Sequence, residues 1–378
     1  MPWPELRGIG EDVRMSSAVV ALRAVETLLR ELEAADMFSG VVGVVQGDEE
    51  LLHEAYGYAS RTWGIPTTVE TRFDTASITK LFTAVATLQL IERGAFTLDT
   101  STIEYLELEE TGISPAVTPY HLLTHTSGIA DDADEEAGER YEDLFLERPN
   151  YAVMETADYL PQFVGKPPNF APGESCRYCN VGYVLLGLMI ERATGSSYRE
   201  YVAEHVFARA GMNRSGFFRM DVVEPDVAEG VEAIEVDDGV VGWRRNIYAY
   251  PPIGGPDGGA HVTVGDLLRF HGAVADGRLL GPALTVALLS PKARHGARGS
   301  GSHLMGFGFE FETIADGGVR CYWKEGVNVG VSGILRHYPM EDVTFAVLAV
   351  GENAAWSPIK AIDGAVGNDP KPRHELRQ

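Results

Sequence analysis

A serine and a lysine stand three residues apart in Ser77-Ile78-Thr79-Lys80, at the start of a stretch whose apolar residues recur at helical spacing. Positions i and i+3 share a helix face, so the hydroxyl and the amine can approach hydrogen-bonding distance. The helix N-terminus adds unpaired N–H groups and the positive end of a dipole where an oxyanion would form. A lysine withdrawn from water loses part of its reference pKa of about 10.4 and becomes able to take a proton from serine. This is the chemistry of a covalent acyl-enzyme. The isolated pattern is not specific, because Ser357-Pro358-Ile359-Lys360 also satisfies it. Order along the chain separates the two. Only Ser77 is followed, at wide spacing, by Tyr178-Cys179-Asn180 and then by Lys324-Glu325-Gly326, and each of those occurs once.

The elements that must position these residues can be read from periodicity. Ile78, Leu81, Phe82, Val85, Leu88 and Ile91 follow the 3.6-residue period from Ser77 to Arg93, with Gly94 where a C-cap glycine belongs. An amphipathic helix is expected from about Ser17 to Leu32, and a β-hairpin from Gly40–Gln46 and Glu50–Tyr58 around Gly47-Asp48-Glu49. The middle of the chain reads as largely helical, including a helix from Gly182 to Arg192 closed by Gly195. Strand-like runs return at Phe307–Thr313, Val319–Lys324, Gly330–Tyr338 and Thr344–Val350. The economical architecture is α/β (α+β): one antiparallel sheet built from both ends of the chain and flanked by helices, with a mostly helical lobe inserted and a cleft between. The expected division is 1–76 plus 251–366 for the sheet domain, 77–250 for the lobe that begins with the nucleophile helix, and 367–378 for a flexible tail.

Composition narrows the function. The chain has 378 residues, 45% hydrophobic, enough for a packed enzyme. Acidic residues number 55 against 31 basic ones, a net charge of −24, which argues against nucleic acid and against an anionic membrane surface. Arg23 and Glu26 interrupt the run from Ala18 to Leu29, so no signal peptide is visible, and no apolar run reaches the roughly 20 residues of a membrane span. With three cysteines, these features lead to a cytoplasmic expectation. Oligomeric state is left open. The elbow G-x-S-x-G, the phosphate loop and H-E-x-x-H are absent. His121 and His125 have the spacing of a metal pair but no acidic ligand beside them, and Cys176 and Cys179 lack the second pair that zinc would need. No metal or cofactor is expected, and the run Gly254-Gly255-Pro256-Asp257-Gly258-Gly259 is read as a tight turn near the cleft.

With these motifs in this order, the sequence resembles the serine β-lactamase-like hydrolases, a family of class C β-lactamases, DD-peptidases, D-aminopeptidases and related carboxylesterases. The likeness extends to His121-Leu122-Leu123-Thr124-His125-Thr126-Ser127-Gly128, to Asn180 through Gly187, and to Gly258-Gly259 with Thr263 and Asp266-Leu267. The resemblance implies a serine β-lactamase/DD-peptidase-like fold with Ser77 as nucleophile and Lys80 and Tyr178 as the proton-handling pair. It implies Asn180 as a polar contact to substrate and Lys80, and Lys324 as the cation on the strand lining the cleft. Two flanking ammonium groups would favour the Tyr178 phenolate, a base able to act near neutral pH. The strand through Gly326 is expected to supply one oxyanion N–H from Val327, the other coming from Ser77.

Two departures from the family pattern bear on substrate. Thr or Ser usually stands between the Lys and Gly of the third motif and helps hold a substrate carboxylate, whereas this chain has Glu325. An acidic run from Asp131 to Asp143 follows the His-Thr-Ser-Gly segment and reads as a solvated loop near the cleft. Both weaken the antibiotic-hydrolase reading. The first expectation is a small-molecule ester, amide or peptide substrate, cleaved by a carboxylesterase-like or D-amino-acid-specific amidase or peptidase activity. β-Lactamase or DD-carboxypeptidase activity is second, and a sensor module that acylates once is third. A fluorophosphonate probe is expected to label Ser77, with Ser77→Ala abolishing labelling and turnover and Ser357→Ala changing neither; peptide mass spectrometry placing the label on another serine overturns the assignment.

Overall fold

Val41, Val42 and Val44 near residue 40 and Phe345 to Val350 near residue 350 make nearly continuous apolar runs, the pattern of strands covered on both faces. They pair. In the computed structural model, which describes residues 8–236, 239–298 and 301–367, Ser39–Gln46 (β1) lies antiparallel to Val343–Val350 (β8), with Val42 opposite Val347. The other strands are Glu49–Tyr56 (β2), Ala293–Arg298 (β3), Gly301–Met305 (β4), Glu310–Thr313 (β5), Val319–Asn328 (β6) and Val331–Tyr338 (β7). Among the described residues they form one eight-stranded antiparallel sheet in the order β2-β1-β8-β7-β6-β5-β4-β3, assembled from both ends of the chain.

Five helices matter for the site: Gly8–Ala34 (α1), Lys80–Glu92 (α2), Val181–Thr194 (α3), Val264–Ala275 (α4) and Trp356–Val366 (α5). Leu22, Val25 and Leu29 of α1 share a core with Ile359 and Ile362 of α5, Trp323 of β6 and Ile334 of β7. The opposite sheet face buries Leu335 and Leu348 against α4, and the same core continues through Phe82 of α2 to Leu186 of α3. The sheet and the helical lobe therefore share one interior. Every residue of α2 from Lys80 to Leu90 is buried, as expected of a helix covered on all sides. Its C-terminus has Gly94 at φ 75°, and α3 ends on Gly195 at φ 71°, both left-handed as their glycines allow.

The structure differs from the sequence expectation in particular places. The helix expected from Ser77 begins with a 3-10 turn, Ala76–Thr79, and becomes α-helical at Lys80. The strand expected over Phe307–Thr313 covers only Glu310–Thr313, and β3 and β4, rich in Gly, His and Arg, carry no alternating apolar pattern. Within the stretch read as a helical lobe, Val231–Val236 and Gly239–Arg245 form a two-stranded ribbon. The tail 367–378 lies outside the described residues except for Gly367. No helix among the described residues is long and apolar enough to cross a membrane.

Phe82 is the apolar pin between α2 and its neighbours, meeting the rings of Phe207 and Phe270 edge-on at centroid distances of 4.9 Å each. Phe82→Ala is expected to lower the unfolding free energy by about 3–5 kcal/mol in urea titration, and a loss below about 1 kcal/mol overturns that placement.

Candidate active site

Ser77 sits on a turn that the chain tightens deliberately. Asp74 Oδ1 accepts from the Ala76 N–H at 2.6 Å, and Ala76 has φ 41°, a left-handed conformation costly for a residue with a Cβ. The turn is tied to the Gly254–Gly259 loop. The Thr75 N–H and hydroxyl both donate to the Ala260 carbonyl, at 2.9 and 2.8 Å, and the Ala260 N–H donates to Thr79 Oγ1 at 3.0 Å. That loop is the tight turn expected, closed by the Gly255 N–H on the Gly258 carbonyl at 2.8 Å.

Lys80 is fully buried, and its Nζ donates to Ser77 Oγ at 3.0 Å, Asn180 Oδ1 at 2.8 Å and the Asp257 carbonyl at 2.6 Å. A lysine ammonium has three protons, so these three acceptors account for all of them. The pair Ser77–Lys80 and the polar contact Asn180 are thus brought together as the sequence led one to expect.

Tyr178 lies over the two lysines. Lys80 Nζ is 5.1 Å and Lys324 Nζ 4.6 Å from its ring centroid, and the His125 ring stacks on it at 4.5 Å. His125 Nδ1 accepts from the Cys179 N–H at 3.1 Å, which leaves Nε2 as the protonated nitrogen of a neutral ring. Burial, then the nearby Lys324 and Lys80 charges, hold its pKa well below the usual histidine range. The motif segment is also gripped from the acidic run. Asp131 accepts from the Asn180 N–H at 2.7 Å and the Val181 N–H at 2.9 Å, capping α3 from across the loop. Glu136 accepts from the Tyr178 N–H at 2.9 Å, and Asp134 pairs with Arg177. The acidic run expected to be a solvated loop is in this part a scaffold for the tyrosine.

Lys324 is buried beneath Tyr178, and Nζ donates to Glu310 Oε1 at 2.8 Å. Glu310 was not a sequence candidate, although a lone carboxylate in the apolar run Gly306-Phe307-Gly308-Phe309-Glu310-Phe311 is a signal of a buried partner. Glu325 stands opposite Ile334, whose side chain belongs to the core under α1 and α5, so strand alternation turns it from the face that carries Lys324. Gly326 is pressed against the Ser77 turn: a Cβ there would lie 2.1 Å from the Thr75 carbonyl oxygen and 3.1 Å from the Ser77 nitrogen. Beside Ser77 opens a cavity of about 530 Å³, lined by Asn180, Tyr141, Tyr159, Tyr250, Val327 and Glu352 among others. Val327 and Asn180 line it; Glu325 does not.

The remaining motif residues hold the surrounding loops rather than bond to Ser77 or Lys80. His121 caps a short helix with Thr118, while His125 serves the tyrosine loop. Cys176 and Cys179 donate to the carbonyls of Thr124 and Ile129 and are free thiols, the former pushed up to about 12 by burial. Ser357 is exposed on α5, whose neighbours are α1 and the opposite face of the sheet.

A sequence profile described as Beta-lactamase matches residues 25–363. The chain belongs to the Beta-lactamase family. Members of this family are serine hydrolases. The chain is 30% identical to esterase EstB of Burkholderia gladioli over 294 residues, 72% of this chain and 74% of that one. It is 27% identical to penicillin-binding protein 4* of Bacillus subtilis over 290 residues, 70% of this chain, and spans 58% of that relative's length. The crystal structure of a penicillin-binding protein from Bacillus halodurans superposes with a TM-score of 0.82 at 35% identity, covering 89% of this chain and 99% of that one.

The crowding at Gly326 has a direct consequence. Gly326→Ala is expected to lower kcat/KM at least about 100-fold with little change in KM, because the new methyl must displace the Ser77 turn rather than a flexible side chain; activity within threefold of wild type overturns the close approach.

Proposed function

We propose that this protein hydrolyses esters or amides through an acyl-enzyme on Ser77, with carboxylesterase-like activity first and D-amino-acid amidase or peptidase activity close beside it. The observation that carries the reading is the buried Lys80 ammonium 3.0 Å from Ser77 Oγ, with Ser77 on the wall of a cavity large enough for a small acyl substrate. The resemblance of the chain to esterase EstB supports an ester as substrate.

The contacts of Lys80 support a division of labour. Lys80 donates to Ser77, Asn180 and Asp257, so in this arrangement it has no lone pair with which to accept the serine proton. Tyr178, flanked by the Lys80 and Lys324 ammonium groups, is the group left to take it. Ser77 Oγ then adds to the carbonyl carbon, and the charge that develops on the carbonyl oxygen meets the N–H groups of Ser77 and Val327. Collapse of the adduct expels the alcohol or amine, which receives the proton from Tyr178. Water repeats the sequence on the acyl-enzyme and releases the acid.

A second reading, β-lactamase or DD-carboxypeptidase, draws on the penicillin-binding relatives.

The test is purified protein with a p-nitrophenyl ester, a D-amino acid amide and nitrocefin, with turnovers counted per active site. Many turnovers of ester or amide and slow nitrocefin hydrolysis are expected. Nitrocefin as the best substrate moves the second reading to first place, and a single acylation without turnover leaves a sensor. Tyr178→Phe is expected to cost at least about 100-fold in kcat on the preferred substrate, and retention within threefold returns the proton to Lys80.

A further inference from the structure

We propose that Asn246 and Tyr250 are positioning residues for the reaction: with Asp74 they form a buried hydrogen-bonded chain that sets the distance between the Ser77 turn and the end of β6, and with it the spacing of the two N–H groups that meet the negative charge developing on the substrate. The proposal rests on Ser77 being the acylated residue and on Ser77 and Val327 supplying those donors.

A donor aimed at an oxyanion acts only within a narrow range of distance, about 2.7–3.1 Å, so the walls that carry Ser77 and Val327 must keep a fixed separation. The crowding at Gly326 supplies one half of this, because contact with the Thr75 carbonyl stops the walls from closing further. Contact does not stop them from parting. That takes bonds across the gap.

On the Ser77 side, Asp74 Oδ1 accepts from the Ala76 N–H at 2.6 Å, one residue before Ser77. The Tyr250 hydroxyl is hydrogen-bonded to the same carboxylate. That hydroxyl accepts from Asn246 Nδ2 at 2.6 Å, which leaves its single proton for Asp74. Nδ2 also donates to the Val329 carbonyl at 2.7 Å, two residues beyond Val327, where β6 gives way to the turn at Gly330. A backbone carbonyl only accepts, which identifies the amide atom facing it as the nitrogen, and these two acceptors use both of its protons.

The chain is sheltered and has no slack. Asp74 and Asn246 are 6% exposed and Tyr250 8%, so water competes little for its bonds. Asn246 is clamped between two glycines: a Cβ on Gly230 would lie 2.0 Å from its Nδ2, and one on Gly330 2.7 Å. Its own N–H is fixed on the Gly230 carbonyl at 3.1 Å. Asp74, Tyr250 and Val329 line the cavity beside Ser77, so the chain runs along one wall of the site, from the Ser77 turn to the strand end.

The test uses the full chain and two p-nitrophenyl phosphonates that differ only in carrying P=O or P=S. With either probe Ser77 Oγ loses its proton and bonds to phosphorus while p-nitrophenolate departs. Sulfur accepts hydrogen bonds poorly, so the oxygen probe alone profits from well-placed N–H donors. Labelling rates, each divided by that probe's rate with hydroxide, read those donors whether or not an acyl-enzyme turns over, so the test fails separately from the esterase or amidase reading. Wild-type protein is expected to prefer the oxygen probe at least about tenfold on this scale. Tyr250→Phe keeps the ring and removes the hydroxyl. Asn246 is not among the described residues that line the cavity, so Asn246→Ala breaks the chain away from the probe. Each variant is expected to shrink the oxygen preference at least about fivefold, and the double variant by no more than about twofold beyond the stronger single one, because a broken chain cannot be broken again. A general loss of stability slows both probes alike and leaves the ratio where it was. If circular dichroism shows Asn246→Ala unfolded, Tyr250→Phe decides alone. The proposal is overturned by wild-type protein without an oxygen preference, by a folded single variant with the wild-type ratio, or by a double variant whose losses multiply.

Discussion

The geometry of the site hangs on one buried ammonium. Lys80 comes from the first turn of α2, yet two of its three acceptors are remote in sequence: Asn180 lies 100 residues on and Asp257 177 residues on. A charge enclosed by protein is tolerated only when its protons are all met. Satisfying Lys80 therefore draws three segments to one point: the Ser77 turn, the N-terminus of α3 and the glycine turn. Each of those has its own anchor. The α3 terminus is held by Asp131, the Ser77 turn by Asp74 and Ala260, and the glycine turn by its internal Gly255–Gly258 bond. Loss of any one leaves the ammonium short of an acceptor.

How legible this was depended on whether the deciding feature is a side chain or a backbone atom. Ser77, Lys80 and Asn180 could be read from type and order because their side chains make the contacts. Asp257 could not, because its contribution is a carbonyl that any residue would supply. The fold followed a similar rule. β1 and β8 are largely buried on both faces and announced themselves by nearly continuous apolar runs, whereas β3 and β4 lie toward the edge of the sheet and are mostly polar. The 3-10 turn at Ser77 is set by the Asp74 bond and the positive φ of Ala76, which no helical periodicity encodes.

Net charge was the more deceptive signal. A surplus of carboxylates reads as solvated surface, and much of it is. Asp131, Asp134 and Glu136 instead accept from backbone N–H groups or from Arg177 around the tyrosine, and Glu310 meets Lys324 under it. The acidity of this chain is thus partly interior carpentry. Glu325 and Glu310 illustrate the difference between sequence adjacency and contact, since alternation along β6 turns the neighbour of Lys324 away while the partner arrives from β5.

The pairing of β1 with β8 has a consequence for biosynthesis. The centre of the sheet joins residues near 40 to residues near 350, as Val41 opposite Leu348 shows, and β6 reaches the Ser77 turn only as part of that sheet. During synthesis at roughly 5–20 residues per second, β1 must wait on the order of tens of seconds for its partner, with Val41, Val42 and Val44 uncovered. The helical lobe can collect its local contacts in that interval, because helices close over short sequence distances. The site around Ser77 is therefore completed only after β6, β7 and β8 have been made, and the emerging polypeptide carries an open valine-rich strand until then.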